Sequence, residues 1–113
     1  MCSYKFVTTR KASFGPPSLK WTWDQDKDVR NRQRHKLPLE AGKLVFDDQL
    51  AVSRSDPHPD GDRCQTVGMV AGVTLFVVHT EPLSQPDGSE RGRIISVRKA
   101  TSHERRAYEE GDF

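Results

Sequence analysis

Cysteine is nearly absent. Cys2 and Cys64 are the only two, too few and too unpatterned for a disulfide framework, and they fit a chain kept in the reducing cytoplasm. No apolar run approaches the length of a bilayer span, and the first residues lack the apolar core of a signal peptide, so no membrane is expected. Bulk charge is missing too: 18 Lys and Arg against 16 Asp and Glu leave a net +2, so nucleic-acid binding would have to come from local clustering. His58, Cys64, His79 and His103 lack the spacing of zinc ligands, so no metal site is expected. A glycine-rich phosphate loop, a nucleophile elbow and coiled-coil heptads are all missing, and no cofactor is expected. With 113 residues, 34% of them hydrophobic and 30% charged, the chain reads as one domain with a small core and a highly charged surface.

What is present centres on Gly92 to Gly111. Ile94, Ile95 and Val97 follow the turn residues Pro86, Asp87 and Gly88, which is the pattern of a buried strand. At Thr101 the period changes to that of a helix. Thr101 and Glu104 form a Thr-x-x-Glu capping box, and Gly111 supplies the stop. Arg98 and Lys99 therefore sit where a strand ends and a helix begins, a place that attracts an anion.

The remaining elements follow in chain order. Residues 1–20 carry Lys5, Arg10, Lys11 and Lys20 without an acid and contain Gly15-Pro16-Pro17-Ser18. They read as an extension of a domain spanning 21–113, either a flexible tail or a basic arm. Trp21-Thr22-Trp23 makes a short strand with both indoles on one face. Asp24 caps a helix whose first turn holds Asp26 and Asp28 and whose later turns hold Arg30, Arg32, Arg34 and Lys36, matching its dipole. On it Lys27, Asn31 and His35 share one face. Pro38 starts a second helix from Leu39 to Asp47, weakened by Gly42, with Phe46 as core. Leu50-Ala51-Val52 begins a strand and Ser55 to Gly61 is an exposed turn. Arg63 to Val70 and Val73 to Thr80 form a hairpin about Ala71-Gly72, and the apolar run Leu75 to Val78 makes its second strand central. Glu81 to Glu90 is a polar loop. Strand, two helices, four strands and a helix describe an α+β fold, with an antiparallel sheet and helices on one face or end.

Several separated blocks then look like one family. Arg93-Ile94-Ile95-Ser96-Val97-Arg98-Lys99-Ala100-Thr101, followed by Glu104-Arg105 and Tyr108, resembles the C-terminal signature of the BrnT-type ribonuclease toxins of bacterial type II toxin-antitoxin systems. Trp23-Asp24, Lys27, Asn31, His35 and Val45-Phe46-Asp47-Asp48 resemble its N-terminal pattern at the same spacings. Arg63, Gly68 and Val77-Val78-His79-Thr80 fall between them in the expected order. The resemblance runs from about Lys20 to Gly111, and the blocks in register are more specific than any one alone. Where the family has Gly after the histidine this chain has Lys36, and Leu39 replaces the aromatic that opens the second helix. The loop at Glu81 to Glu90 is also longer than usual. The resemblance implies a compact RelE-like ribonuclease fold, cytoplasmic RNA cleavage that blocks translation, and neutralisation by a BrnA-type ribbon-helix-helix antitoxin. Operator DNA would then be met only through that antitoxin.

Metal-independent RNA cleavage needs a base for the 2′-hydroxyl, an acid for the leaving 5′-oxygen and cations for charge on the phosphate. Arg63, Arg93 and Arg98 are the candidate phosphate clamps, because guanidinium forks fit phosphoryl oxygens bidentately. His35 is the candidate acid or base, imidazole being the side chain that titrates near neutrality. Lys27, Asn31, Lys99 and Tyr108 are candidate RNA contacts, although Tyr108 could equally pack under its helix. Glu104 reads as a helix cap rather than a general base. Arg93 and Arg98 differ by an odd number, so they share a strand face only if a bulge intervenes or Arg98 lies beyond the strand. A non-catalytic module of the same fold, binding nucleic acid or antitoxin, would share these features.

Overall fold

The computed structural model describes residues 19–56 and 63–113. The extension before Leu19, Cys2, His58 and most of the turn after Ser55 lie outside the described residues. The elements in order are β1 (Leu19–Thr22), α1 (Gln25–His35), a 3₁₀ segment (Leu39–Asp47), β2 (Val52–Asp56), β3 (Arg63–Val70), β4 (Val73–His79), β5 (Leu83–Ser84), β6 (Glu90–Lys99) and α2 (Ser102–Glu110). β1 thus takes in Lys20. The strands form one six-stranded sheet in the order β1-β6-β4-β3-β2, with β5 also on β6. It is a mixed sheet and not a purely antiparallel one, because β1 runs parallel to β6 while the other pairs are antiparallel.

Local signals set most boundaries. The Asp24 carboxylate accepts the Asp26 N–H at 3.0 Å, which caps α1. Thr101 and Glu104 form a full capping box, and Gly111 ends α2 at φ 71°. Ala71 and Gly72 both have positive φ, as a two-residue type I′ hairpin turn requires.

The second helix is where sequence and structure part. Leu39 to Asp47 is 3₁₀, with Leu39, Gly42, Val45 and Phe46 buried. Three residues per turn align Leu39, Gly42 and Val45 in one row, and that row lies on the sheet. Gly42 does not weaken this segment; it is the contact. A Cβ there would stand 2.8 Å from a Val97 methyl, so only glycine lets the backbone approach so closely.

The sheet is covered on both faces, not on one face or end. The 3₁₀ segment closes the back with Leu39, Val45, Phe46, Leu75, Val77, Ile94 and Val97. On the front, α2 covers Val67, Phe76 and Ala100 with Tyr108 and Phe113 packed alongside. Trp21 joins the back core, stacked 4.3 Å from Phe46 over Gly92, its register partner in β6. Cys64 is buried in β3. Among the described residues no helix is long and apolar enough to cross a membrane.

Lys36 carries a cost. It caps α1 in the left-handed region at φ 62°, where a Cβ crowds the following carbonyl. Lys36→Gly should therefore stabilise the fold by about 0.5–1 kcal/mol after the extra backbone entropy of glycine is allowed for. The check is a higher urea midpoint at unchanged slope.

Candidate active site

α1 lies against β6 where β1 has stopped. β1 pairs with β6 only from Glu90 to Arg93, which leaves the later part of that edge without a strand. Asn31 fills the gap. Its Nδ2 donates to the Val97 carbonyl at 2.9 Å and its Oδ1 accepts the Val97 N–H at 3.1 Å, so one carboxamide stands in for a neighbouring strand. Its second Nδ2 hydrogen reaches the Leu37 carbonyl at 2.8 Å. Both amide hydrogens are thus committed to backbone, and the residue is 6% exposed. Asp28 secures the following turn by accepting the Leu39 N–H at 2.7 Å.

This docking creates a cleft of about 230 Å³ between α1 and β6, lined by Lys27, Arg30, Asn31, Arg34, His35, Ile95 and Ser96. The Lys27-Asn31-His35 stripe therefore lines the cleft wall. Arg30 and Arg34 join it; from sequence they read only as complements to the helix dipole, although their spacing of four places them on one face. No acid lines the cleft, so its field favours an anion.

The floor of the cleft is set by a bulge. His79 pairs with Ile94 but Val78 pairs with Ser96, which leaves Ile95 as an extra residue and changes the parity of β6. Ile94 and Val97 both reach the back core as a result. Arg93, Ser96 and Arg98 fall together on the front face, so the odd spacing of the two arginines is resolved by a bulge. Register places Arg63 on the same face, opposite Asp56, in β3. Arg54 also belongs there, its Nε donating to Gln65 at 2.7 Å and its guanidinium lying 4.1 Å from the centre of the Phe113 ring. Sequence reasoning missed it, though an arginine at alternate positions of a strand was the available signal.

The front arginines differ in what holds them. Arg93 is exposed, and among the described residues no carboxylate pairs with it. Arg98 is tied down: Nη1 and Nη2 donate to the two Glu104 oxygens, each at 2.9 Å, and the guanidinium sits 4.0 Å from the centre of the Phe76 ring. Burial pushes the Glu104 carboxyl up, but hydrogen bonds from Arg98 and Thr101 outweigh it and leave it below the usual value.

Lys99 and Tyr108 are not brought to the cleft. Lys99 pairs with Leu75 and so shares the parity of the back face. The Tyr108 hydroxyl donates to Asp48 at 2.6 Å; burial, followed by this bond, pushes the phenol up to about 12. Burial works against Asp48, yet hydrogen bonds from Tyr108, Met69 and Leu50 bring it below its ordinary value. Tyr108 is thus the anchor of α2. Among the described residues no group of three His, Cys, Asp or Glu is placed to hold a metal ion.

Residues 23–104 match the family model described as "Ribonuclease toxin, BrnT, of type II toxin-antitoxin system". A solved structure, the ribonuclease toxin BrnT of Brucella abortus, is similar over 75% of this chain and 100% of that chain, with 24% identity and a TM-score of 0.51. No curated protein matches the chain.

Proposed function

The chain belongs to the BrnT family of ribonuclease toxins of type II toxin-antitoxin systems, and from that premise we propose that the α1–β6 cleft is where it cuts RNA. One observation carries the assignment: Lys27, Arg30, Arg34 and His35 line the cleft without an acid, and Ser96 on its floor stands between Arg93 and Arg98 on the same face of β6.

The chemistry is an in-line displacement. The 2′-oxygen attacks the adjacent phosphorus, the bond to the 5′-oxygen breaks, and a 2′,3′-cyclic phosphate and a free 5′-hydroxyl remain. One proton leaves the 2′-hydroxyl and one arrives on the 5′-oxygen, with His35 handling one transfer and Lys27, on the same wall, assisting the other. Arg93 takes the charge that builds on the phosphoryl oxygens, because its fork is exposed and guanidinium geometry fits phosphoryl oxygens bidentately. Arg63, two strands away, holds the RNA further along the front face. Asn31 serves by positioning α1, and Arg98 chiefly by joining β6 to α2.

A type II system pairs such a toxin with an antitoxin. We take that partner to be a BrnA-like ribbon-helix-helix protein, through which alone the toxin meets operator DNA, and the architecture to be RelE-like. Cleavage of cellular RNA in the cytoplasm would block translation.

The test is the purified protein with RNA in EDTA. Fragments that accumulate with time support a metal-independent endoribonuclease; RNA retained but uncut supports a binding module of the same fold. His35→Gln should lose most of the rate and flatten its dependence on pH while keeping its helix content. An unchanged pH profile, normalised to folded fraction by circular dichroism, removes His35 from the chemistry.

A further inference from the structure

The ladder between β4 and β6 is irregular at the point where Arg93 leaves the sheet. Just beyond the bulge at Ile95, Thr80 takes over the pairing. Its N–H donates to the Arg93 carbonyl at 2.9 Å, and its hydroxyl oxygen accepts the Arg93 N–H at 2.9 Å. In an ordinary antiparallel hydrogen-bonded pair that second bond would end on the Thr80 carbonyl. Instead the carbonyl is turned aside to accept the His79 Nδ1–H at 2.8 Å. The hydroxyl of Thr80 therefore stands in for a backbone acceptor, at a residue of the front face whose guanidinium is exposed and, among the described residues, without a carboxylate.

Resting on the reading of Arg93 as a phosphate clamp, we propose that Thr80 is a positioning residue for it. The two bonds to Thr80 hold the backbone of residue 93 on the far side of the bulge, so that its side chain leaves by the face that carries Ser96 and the cleft. Without the hydroxyl, the Arg93 N–H loses its partner and the strand is free to turn about residue 93. The guanidinium would then be aimed over a wider range, and a clamp that acts on developing charge is sensitive to aim. A hydroxyl is required for this and a methyl is not.

Four variants decide the matter: Thr80→Val, Thr80→Ser, Arg93→Ala and the double variant Thr80→Val/Arg93→Ala, each assayed for kcat and KM on one RNA and normalised to folded fraction. Thr80→Val should lower kcat about tenfold with little change in KM. Thr80→Ser should restore it, and Thr80→Val should add nothing once Arg93 is gone. Should Thr80→Val fold poorly, Thr80→Ala serves as the same arm. The proposal is overturned if Thr80→Val cuts normally while Arg93→Ala does not, if serine fails to rescue, or if the cost of Thr80→Val persists in full beside Arg93→Ala. A normal rate for Arg93→Ala overturns the clamp reading itself, and the proposal with it.

Discussion

Arg93→Ala should cut RNA roughly 10²-fold more slowly than wild type, a loss of about 3 kcal/mol of transition-state stabilisation, and should still melt as wild type does. The separation of the two effects follows from its surroundings. Arg93 is exposed, and its contribution to the fold is made by its backbone, which alanine keeps. Arg98→Ala should behave in the opposite way. Three of the five guanidinium N–H donors of Arg98 are already used, two on Glu104 and one on the Lys99 carbonyl. Removing it leaves Glu104, whose side chain is 11% exposed, without its charge partner and uncovers Phe76. We expect a stability loss of about 2 kcal/mol, a figure held down because the Arg98 side chain is 32% exposed and partly screened. Its cleavage per folded molecule should fall less than that of Arg93→Ala. Urea midpoints and cleavage rates on the same preparations give both quantities. Equal, wild-type cleavage by both variants would show that the clamp lies elsewhere.

The legible parts of the fold were those decided within a few residues. Asp24, the Thr101–Glu104 box, Gly111 and the Ala71-Gly72 turn each act on their own neighbours, so composition and spacing sufficed. The bulge in β6 was legible as a condition, since two arginines five apart could share a face only that way. The rest depended on partners distant in sequence. Gly42 looks like a helix breaker until Val97 is seen against it. The parallel pairing of β1 with β6 joins residues about seventy apart, and nothing in Trp21-Thr22-Trp23 selects that partner. Asn31 shows the limit most plainly. Its spacing from Lys27 and His35 put it on one face of α1, but whether its amide faces solvent or closes a sheet edge depends on β1 stopping at Thr22, which no property of α1 reveals. His79 is similar: its sequence context showed only that it lacks zinc-ligand spacing, whereas in the fold it is fully buried beneath Trp21 and Phe46.

That burial makes the folded protein sensitive to mild acid. The Thr80 carbonyl only accepts, so Nδ1 carries the ring proton. Nε2 must then accept, and it takes the Thr66 hydroxyl at 2.6 Å, while Thr66 accepts in turn from Ser53 at 2.7 Å. With the ring neutral every group in this chain is satisfied. Burial is the main reason the His79 pKa falls from 6.5 to about 4, the bond to Thr80 opposing it. In the unfolded chain the imidazole takes up a proton at its ordinary value, whereas in the folded state it resists until the lower one. The contribution of neutral His79 is therefore complete above pH 6.5 and is lost as pH falls from there to about 4, by about 3 kcal/mol in total. His79→Gln should be less stable near pH 7 because the ring no longer fills its site, but it should lack this slope. The other histidines are common to both proteins, so the difference between their urea midpoints at pH 7, 5.5 and 4.5 isolates His79. A difference that stays constant across those three values would show that the buried ring does not resist protonation, and that the hydrogen-bonded chain from Ser53 to Thr80 can rearrange to accommodate a charged imidazole.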